Sequence, residues 1–130
     1  MEILQPKDWS RPKGFSYGVA AKGRTIFVSG MIGSGPQGKI VSDNFSAQVR
    51  QALRNIVEVL ALAKAKPEHI VRMTWYLLDK KEYVAAYKKI GAIYREIIGS
   101  HYPAMTAVEV AALIEDQARV EIEVTAVLPD

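Results

Sequence analysis

The stretch Ile70-Val71-Arg72-Met73-Thr74-Trp75-Tyr76-Leu77-Leu78 is rich in β-branched, aromatic and aliphatic residues, with Arg72 its only charge. Such a run predicts a strand. Val71, Met73, Trp75 and Leu77 fall on one face, and Ile70, Thr74, Tyr76 and Leu78 on the other. A sheet with helices on one side needs only one apolar face. Apolar residues on both faces predict that something covers the second face too. In a chain of 130 residues another subunit is the economical cover.

Helical periodicity flanks this strand on both sides. Upstream, Phe45, Val49, Leu53, Ile56, Leu60 and Ala63 share one face, and Gln48, Arg50, Gln51, Arg54 and Glu58 lie mostly opposite. That spacing predicts an amphipathic helix of about five turns. Ser42-Asp43-Asn44 offers capping side chains at its start, and Pro67 prevents its continuation. Downstream, Tyr83, Tyr87, Ile90, Tyr94 and Ile97 recur at three- and four-residue spacing, predicting a helix over Lys80 to Ile98 that stops at Gly99.

The remaining strands follow from alternation and turn chemistry. Phe15 to Ala21 and Thr25 to Gly30 are expected to form a hairpin across Lys22-Gly23. Lys39-Ile40-Val41 has strand character. Thr106 to Val110 and Arg119 to Leu128 supply the last two strands, around a polar turn at Ile114-Glu115-Asp116-Gln117. Residues 1–13, with Pro6 and Pro12, are expected to be an arm. The whole is one α+β domain over residues 1–130, a mixed sheet with two helices packed on one face, in the order β-β-β-α-β-α-β-β.

Gly33-Ser34-Gly35-Pro36-Gln37-Gly38 matches the dinucleotide fingerprint in letters only. The fingerprint needs a helix N-terminus at its last glycine. Here Pro36 intervenes and strand-like residues follow, so a loop is expected. Composition narrows the chemistry further. Without cysteine there is no disulfide, thiolate metal site or cysteine nucleophile. His69 and His101, the only histidines, lack partners at ligand spacing, so neither a metal site nor a cofactor is expected. A charge of +3 spread over scattered Lys and Arg argues against nucleic acid as partner. The N-terminus shows no secretory pattern and no apolar run is long enough to span a membrane, so a cytoplasmic location is expected.

Four stretches together resemble one family. Tyr17-Gly18-Val19-Ala20, Ile26-Phe27-Val28-Ser29-Gly30, Gln48 to Ile56, and Pro103-Ala104-Met105-Thr106-Ala107-Val108-Glu109-Val110 with Val120-Glu121-Ile122-Glu123 are similar, in order and spacing, to the RidA/YjgF (enamine/imine deaminase) family. The resemblance implies a chorismate-mutase-like fold and a homotrimer with small-molecule clefts between subunits. It implies a substrate-binding set of Tyr17, Ser29, Gly30, Met31, Tyr87, Met105 and Ala107, with Glu121 as the catalytic carboxylate that handles a water or proton. It also marks a departure. Deaminating members carry arginine where this chain has Met105, and methionine has neither charge nor donor with which to hold a substrate carboxylate.

Each candidate also has a plainer reading. Glu121 and Glu123, two apart on one strand face, would serve as surface charges paired with Arg72, Arg119 or a lysine. Tyr17 would pack with its hydroxyl wet, Met105 would be core, and His101 a solvated loop residue. Glu109 is expected to hold a donor at a subunit contact. Two functions stay open at this point: hydrolysis of an enamine or imine, and a non-catalytic trimeric metabolite binder or sensor. An RNA-directed activity, described for some relatives, is the least supported.

Overall fold

The computed structural model describes residues 1–130. Four strands form the main sheet: β3 (Arg24–Met31), β4 (Ile70–Leu77), β5 (Ala104–Glu109) and β6 (Val120–Leu128). Their order is β3-β6-β4-β5. β6 runs antiparallel to both β3 and β4, while β4 and β5 are parallel. Parallel neighbours need a crossover, which the segment between β4 and β5 supplies as helix. Two short strands, β1 (Glu2–Leu4) and β2 (Gly18–Ala20), pair apart from this sheet.

Helix α1 (Phe45–Leu62) begins where Asn44 accepts a hydrogen bond from the Ala47 N–H at 2.9 Å. It ends before Pro67, with Lys64 at φ 61° and a single 3-10 turn at Pro67–His69. Val49, Leu53, Ile56 and Leu60 of α1 are fully buried, against Val120, Ile122 and Val124 of β6 and Met73, Trp75 and Leu77 of β4 in one cluster. Burial of each such side chain stabilises the fold by roughly 1.5–3 kcal/mol, less what the unfolded chain already buries.

Several expectations are corrected. The hairpin of Phe15–Ala21 with Thr25–Gly30 does not form. β2 pairs instead with β1, Ile3 opposite Val19, so the arm carries a strand. β3 turns away to pair with β6. At the parting Gly23 has φ 147°, and a Cβ there would lie 2.9 Å from the Leu128 carbonyl carbon, so only glycine fits where the chain passes the end of β6.

Lys39-Ile40-Val41 joins no strand. Ile40 makes one isolated bridge to Ser34, and the loop closes on itself through Gly35 N–H to Lys39 O and Val41 N–H to Gly33 O. The second helix is two helices, α2 (Lys80–Ala85) and α3 (Tyr87–Ile97). Ala86, at φ −98° and ψ 10°, joins them. Gly99 adopts φ 99° just past α3 and so ends it.

The two apolar faces of β4 also need revision. The register slips between Ile70 and Arg72, so Ile70 joins Met73, Trp75 and Leu77 in the core. The opposite face of β4 keeps Arg72, Thr74 and Tyr76. On that face β3 exposes Phe27 to 79% and β5 leaves Val108 open. No helix of the chain covers it. No helix is long and apolar enough to cross a membrane.

Candidate functional site

The parallel register of β4 and β5 decides where the candidate residues go. Met73 stands opposite Met105 and Trp75 opposite Ala107. Side chains two apart share a face, so Met105 and Ala107 join Met73 and Trp75 on the helix side. There, between edge strand β5 and helices α2 and α3, lies a groove of about 620 Å³ lined mainly by apolar and aromatic residues. That volume is typical of small-molecule sites.

Aromatic rings make most of its wall. Trp75 is 2% exposed and packs on Tyr83 at 5.9 Å between ring centroids, and Tyr83 packs on Tyr87 at 5.0 Å. The indole N–H of Trp75 finds no acceptor in the chain. Burial, reinforced by the charge and hydrogen bond of Tyr87, pushes the Tyr83 hydroxyl up to about 12. Farther along, Tyr94 stacks on Tyr102 at 5.4 Å and donates to the His101 carbonyl at 2.6 Å. Burial, then Tyr102, raises the Tyr94 pKa as well. Tyr83 and Tyr94 are thus neutral near pH 7 and act as apolar bodies with hydroxyl donors.

Glu121 lies on the other side of the sheet. It pairs with Tyr76 of β4, and its carboxyl rests over Gly30. β3 bulges between Val28 and Met31 and brings Gly30 under the carboxylate. A Cβ on Gly30 would lie 2.7 Å from the Glu121 carboxyl carbon. Ser29 is exposed beside it, while Met31 turns to pack on the core. Glu121 and Glu123 form no ion pair, because Arg119 pairs with Glu82 and the other pairs are Arg50–Glu96 and Arg54–Glu96. Glu123 instead accepts from the Tyr76 hydroxyl at 2.6 Å. That bond, then desolvation and the two carboxylate charges, raises the Tyr76 pKa, with Arg72 opposing.

Within one chain the candidates therefore divide. Tyr87, Met105 and Ala107 share the groove. Ser29, Gly30 and Glu121 share the bare sheet face. Tyr17 belongs to neither interior: its hydroxyl donates to the Ser10 carbonyl at 2.9 Å, and its ring meets Trp9 and Phe15 edge-on. Phe15 is itself a groove residue. Ser16 ties this segment to the start of β5, donating from N to Pro103 O and from Oγ to Tyr102 O.

Two other residues are structural. His101 is not a solvated loop residue, since its Nε2 sits 2.6 Å from the Ile70 carbonyl. Glu109 accepts from the Lys80 N–H at 2.9 Å and so holds the start of α2 within the chain. Sequence periodicity put Gln48 on the polar face of α1, yet it is fully buried. Its amide donates to Ser42 O and Gln117 O and accepts from Arg119 N–H. A lone glutamine next to apolar Val49 gave no periodic signal of this. No group of three or more His, Asp or Glu gathers to hold a metal.

The family model described as Endoribonuclease L-PSP matches residues 10–128. The 2-iminobutanoate/2-iminopropanoate deaminase of Homo sapiens is 35% identical over 105 residues, covering 80% of this chain and 73% of that protein. A RutC family protein of Pyrococcus horikoshii is 32% identical, covering 96% of each. Among solved structures, a protein of unknown function of the conserved Rid family from Yersinia pestis superposes with a TM-score of 0.84 at 32% identity, over 98% of both chains. The chain belongs to the Endoribonuclease L-PSP family, that is, RidA/YjgF.

Proposed function

We propose that this chain acts on a small molecule in clefts between the subunits of a homotrimer. One subunit supplies the groove with Tyr87, Met105 and Ala107, edged by Tyr17. Its neighbour supplies Ser29, Gly30 and Glu121 from the bare sheet face. The observation that carries this reading is the division of the candidates between opposite sides of one sheet, each side lacking what the other has. The groove has walls and no carboxylate, and the sheet face has a carboxylate with no ion-pair partner and no walls.

The reaction that fits is hydrolysis of an enamine or imine, as the names of the deaminase relatives suggest. Glu121 takes a proton from water as the water oxygen adds to the carbon of the C=N bond. The nitrogen receives a proton, and the resulting carbinolamine expels ammonia and leaves a carbonyl. The sum is one imine plus one water giving one carbonyl compound plus ammonia, and it needs no cofactor. General-base assistance of this kind contributes roughly 10²–10⁴-fold. The test is ammonia release from imines generated in place from amino acids. Release that falls with Glu121→Gln supports the reading, and none above background removes it.

A second reading is a non-catalytic trimer that binds an apolar metabolite. Met105 favours it, because a thioether suits an apolar wall and offers no charge to a carboxylate. Here Met105→Arg weakens the binding of an uncharged apolar ligand. Ribonucleolysis, the activity in the family's description, is less well supported. Glu121 and Glu123 both stand on the open sheet face and repel a polyanion.

A further inference from the structure

The groove is lined by two cations, Lys13 and Arg95, and by no acidic residue. Neither cation makes an ion pair or a side-chain hydrogen bond within the chain. The second concavity differs, with Asp43, Glu82 and Arg119 together and the last two paired. An unpaired guanidinium on an aromatic wall suits a carboxylate, which it can hold by two parallel hydrogen bonds.

Arg95 lines the groove alongside Gly91. Tyr87, Gly91 and Arg95 recur every four residues on α3 and form one stripe. A Cβ on Gly91 would lie 3.3 Å from a guanidinium nitrogen of Arg95, so that side chain folds back one turn over the glycine. A glycine inside a helix costs about 1 kcal/mol relative to alanine, and here it gives the guanidinium its bed. The charge then sits near the level of Gly91, ~6 Å along the helix axis from Tyr87. An aryl group on a short carboxylate tail has the length to place its anion at that charge and its ring against Tyr83 and Tyr87.

We infer that the groove takes aromatic carboxylic acids, with Arg95, assisted by Lys13, supplying the anion contact that Met105 lacks and the Trp75–Tyr83–Tyr87 rings holding the aryl group. This rests on the reading of the groove as a ligand cleft.

The test is calorimetry and NMR titration of the full chain with three probes: 3-phenylpropanoate, 3-phenylpropan-1-ol and butanoate. The acid should bind best, with Arg95→Gln weakening it at least tenfold, Arg95→Lys restoring part of the loss, and the alcohol unaffected by either change. Arg95 is exposed and unpaired, so these variants should fold as the parent does. Equal binding of acid and alcohol, indifferent to Arg95→Gln, overturns the anion contact while leaving the groove as a ligand cleft. If neither aryl probe binds or shifts the Tyr83 and Tyr87 resonances, the cleft reading falls and the inference with it.

Discussion

The Glu121 carboxyl lies directly on Gly30, so close that a single added carbon would collide with it. The sequence marks both residues as candidates but not that they touch. The bulge in β3 puts the glycine there, and the pairing of β6 with β3 brings the glutamate over it. The carboxylate is thereby positioned without an ion-pair partner, on a sheet face that no helix of the chain covers.

Gly30→Ala should therefore act through Glu121. The side chain is flexible and can move aside, so the melting temperature should change little. Ammonia release should fall about tenfold or more, against a loss of roughly 10²–10⁴-fold for Glu121→Gln. Parallel thermal melts and ammonia assays check this. A large drop in melting temperature with unaltered turnover would mean that the contact is only packing.

Gln48→Leu should destabilise the chain by about 2–4 kcal/mol. It leaves Arg119 N–H and two carbonyls, of Ser42 and Gln117, without partners in a buried place. Denaturant unfolding gives the value. Because Gln48 ties the turn before β6 to α1, hydrogen exchange at Arg119 should rise first.

The tyrosines set an alkaline limit. Tyr76, Tyr83 and Tyr94 have folded pKa values above the ordinary 10, Tyr83 at about 12. A raised folded pKa means the folded state holds its proton more tightly than the unfolded state does. The stabilisation is complete below pH 10 and is lost as pH climbs through the folded value. Unfolding free energy should thus fall between pH 10 and about 12, and Tyr83→Phe should flatten part of that slope. Tyrosinate absorbance should show these groups ionising late.

Met105→Arg should cost about 1–3 kcal/mol, because Met105 is half-buried against the core cluster. It should raise affinity for short imino acids and lower it for uncharged apolar ligands. Competition binding on the folded variant separates the two effects.

Much of the fold was legible where periodicity was long. The α1 stripe, the Trp75 strand and the alternation of Val120, Ile122, Val124 and Ala126 all lie where the spacing predicts. The failures share a cause. A local pattern says that Gly18–Ala20 and Arg24–Met31 are strands but not which strands they meet, and β3 found β6 about a hundred residues away. The Ile70 slip is a one-residue event that alternation alone cannot carry, since it moves a side chain across the sheet. The candidate site was legible as residues and illegible as geometry. Met105 and Glu121 both carry the family resemblance, yet only strand pairing reveals that they face opposite sides.

Subunit mixing tests the shared cleft most directly. Glu121→Gln removes the base, and Ala107→Trp fills the groove. Each variant alone should be inactive in ammonia release. If the cleft lies between subunits, unfolding and refolding the two together in equal amounts should return about a quarter of the parent activity, because a quarter of clefts pair an intact groove with an intact Glu121. If the mixture stays as inactive as its components while the parent is active, base and groove act within one chain, and the account is contradicted.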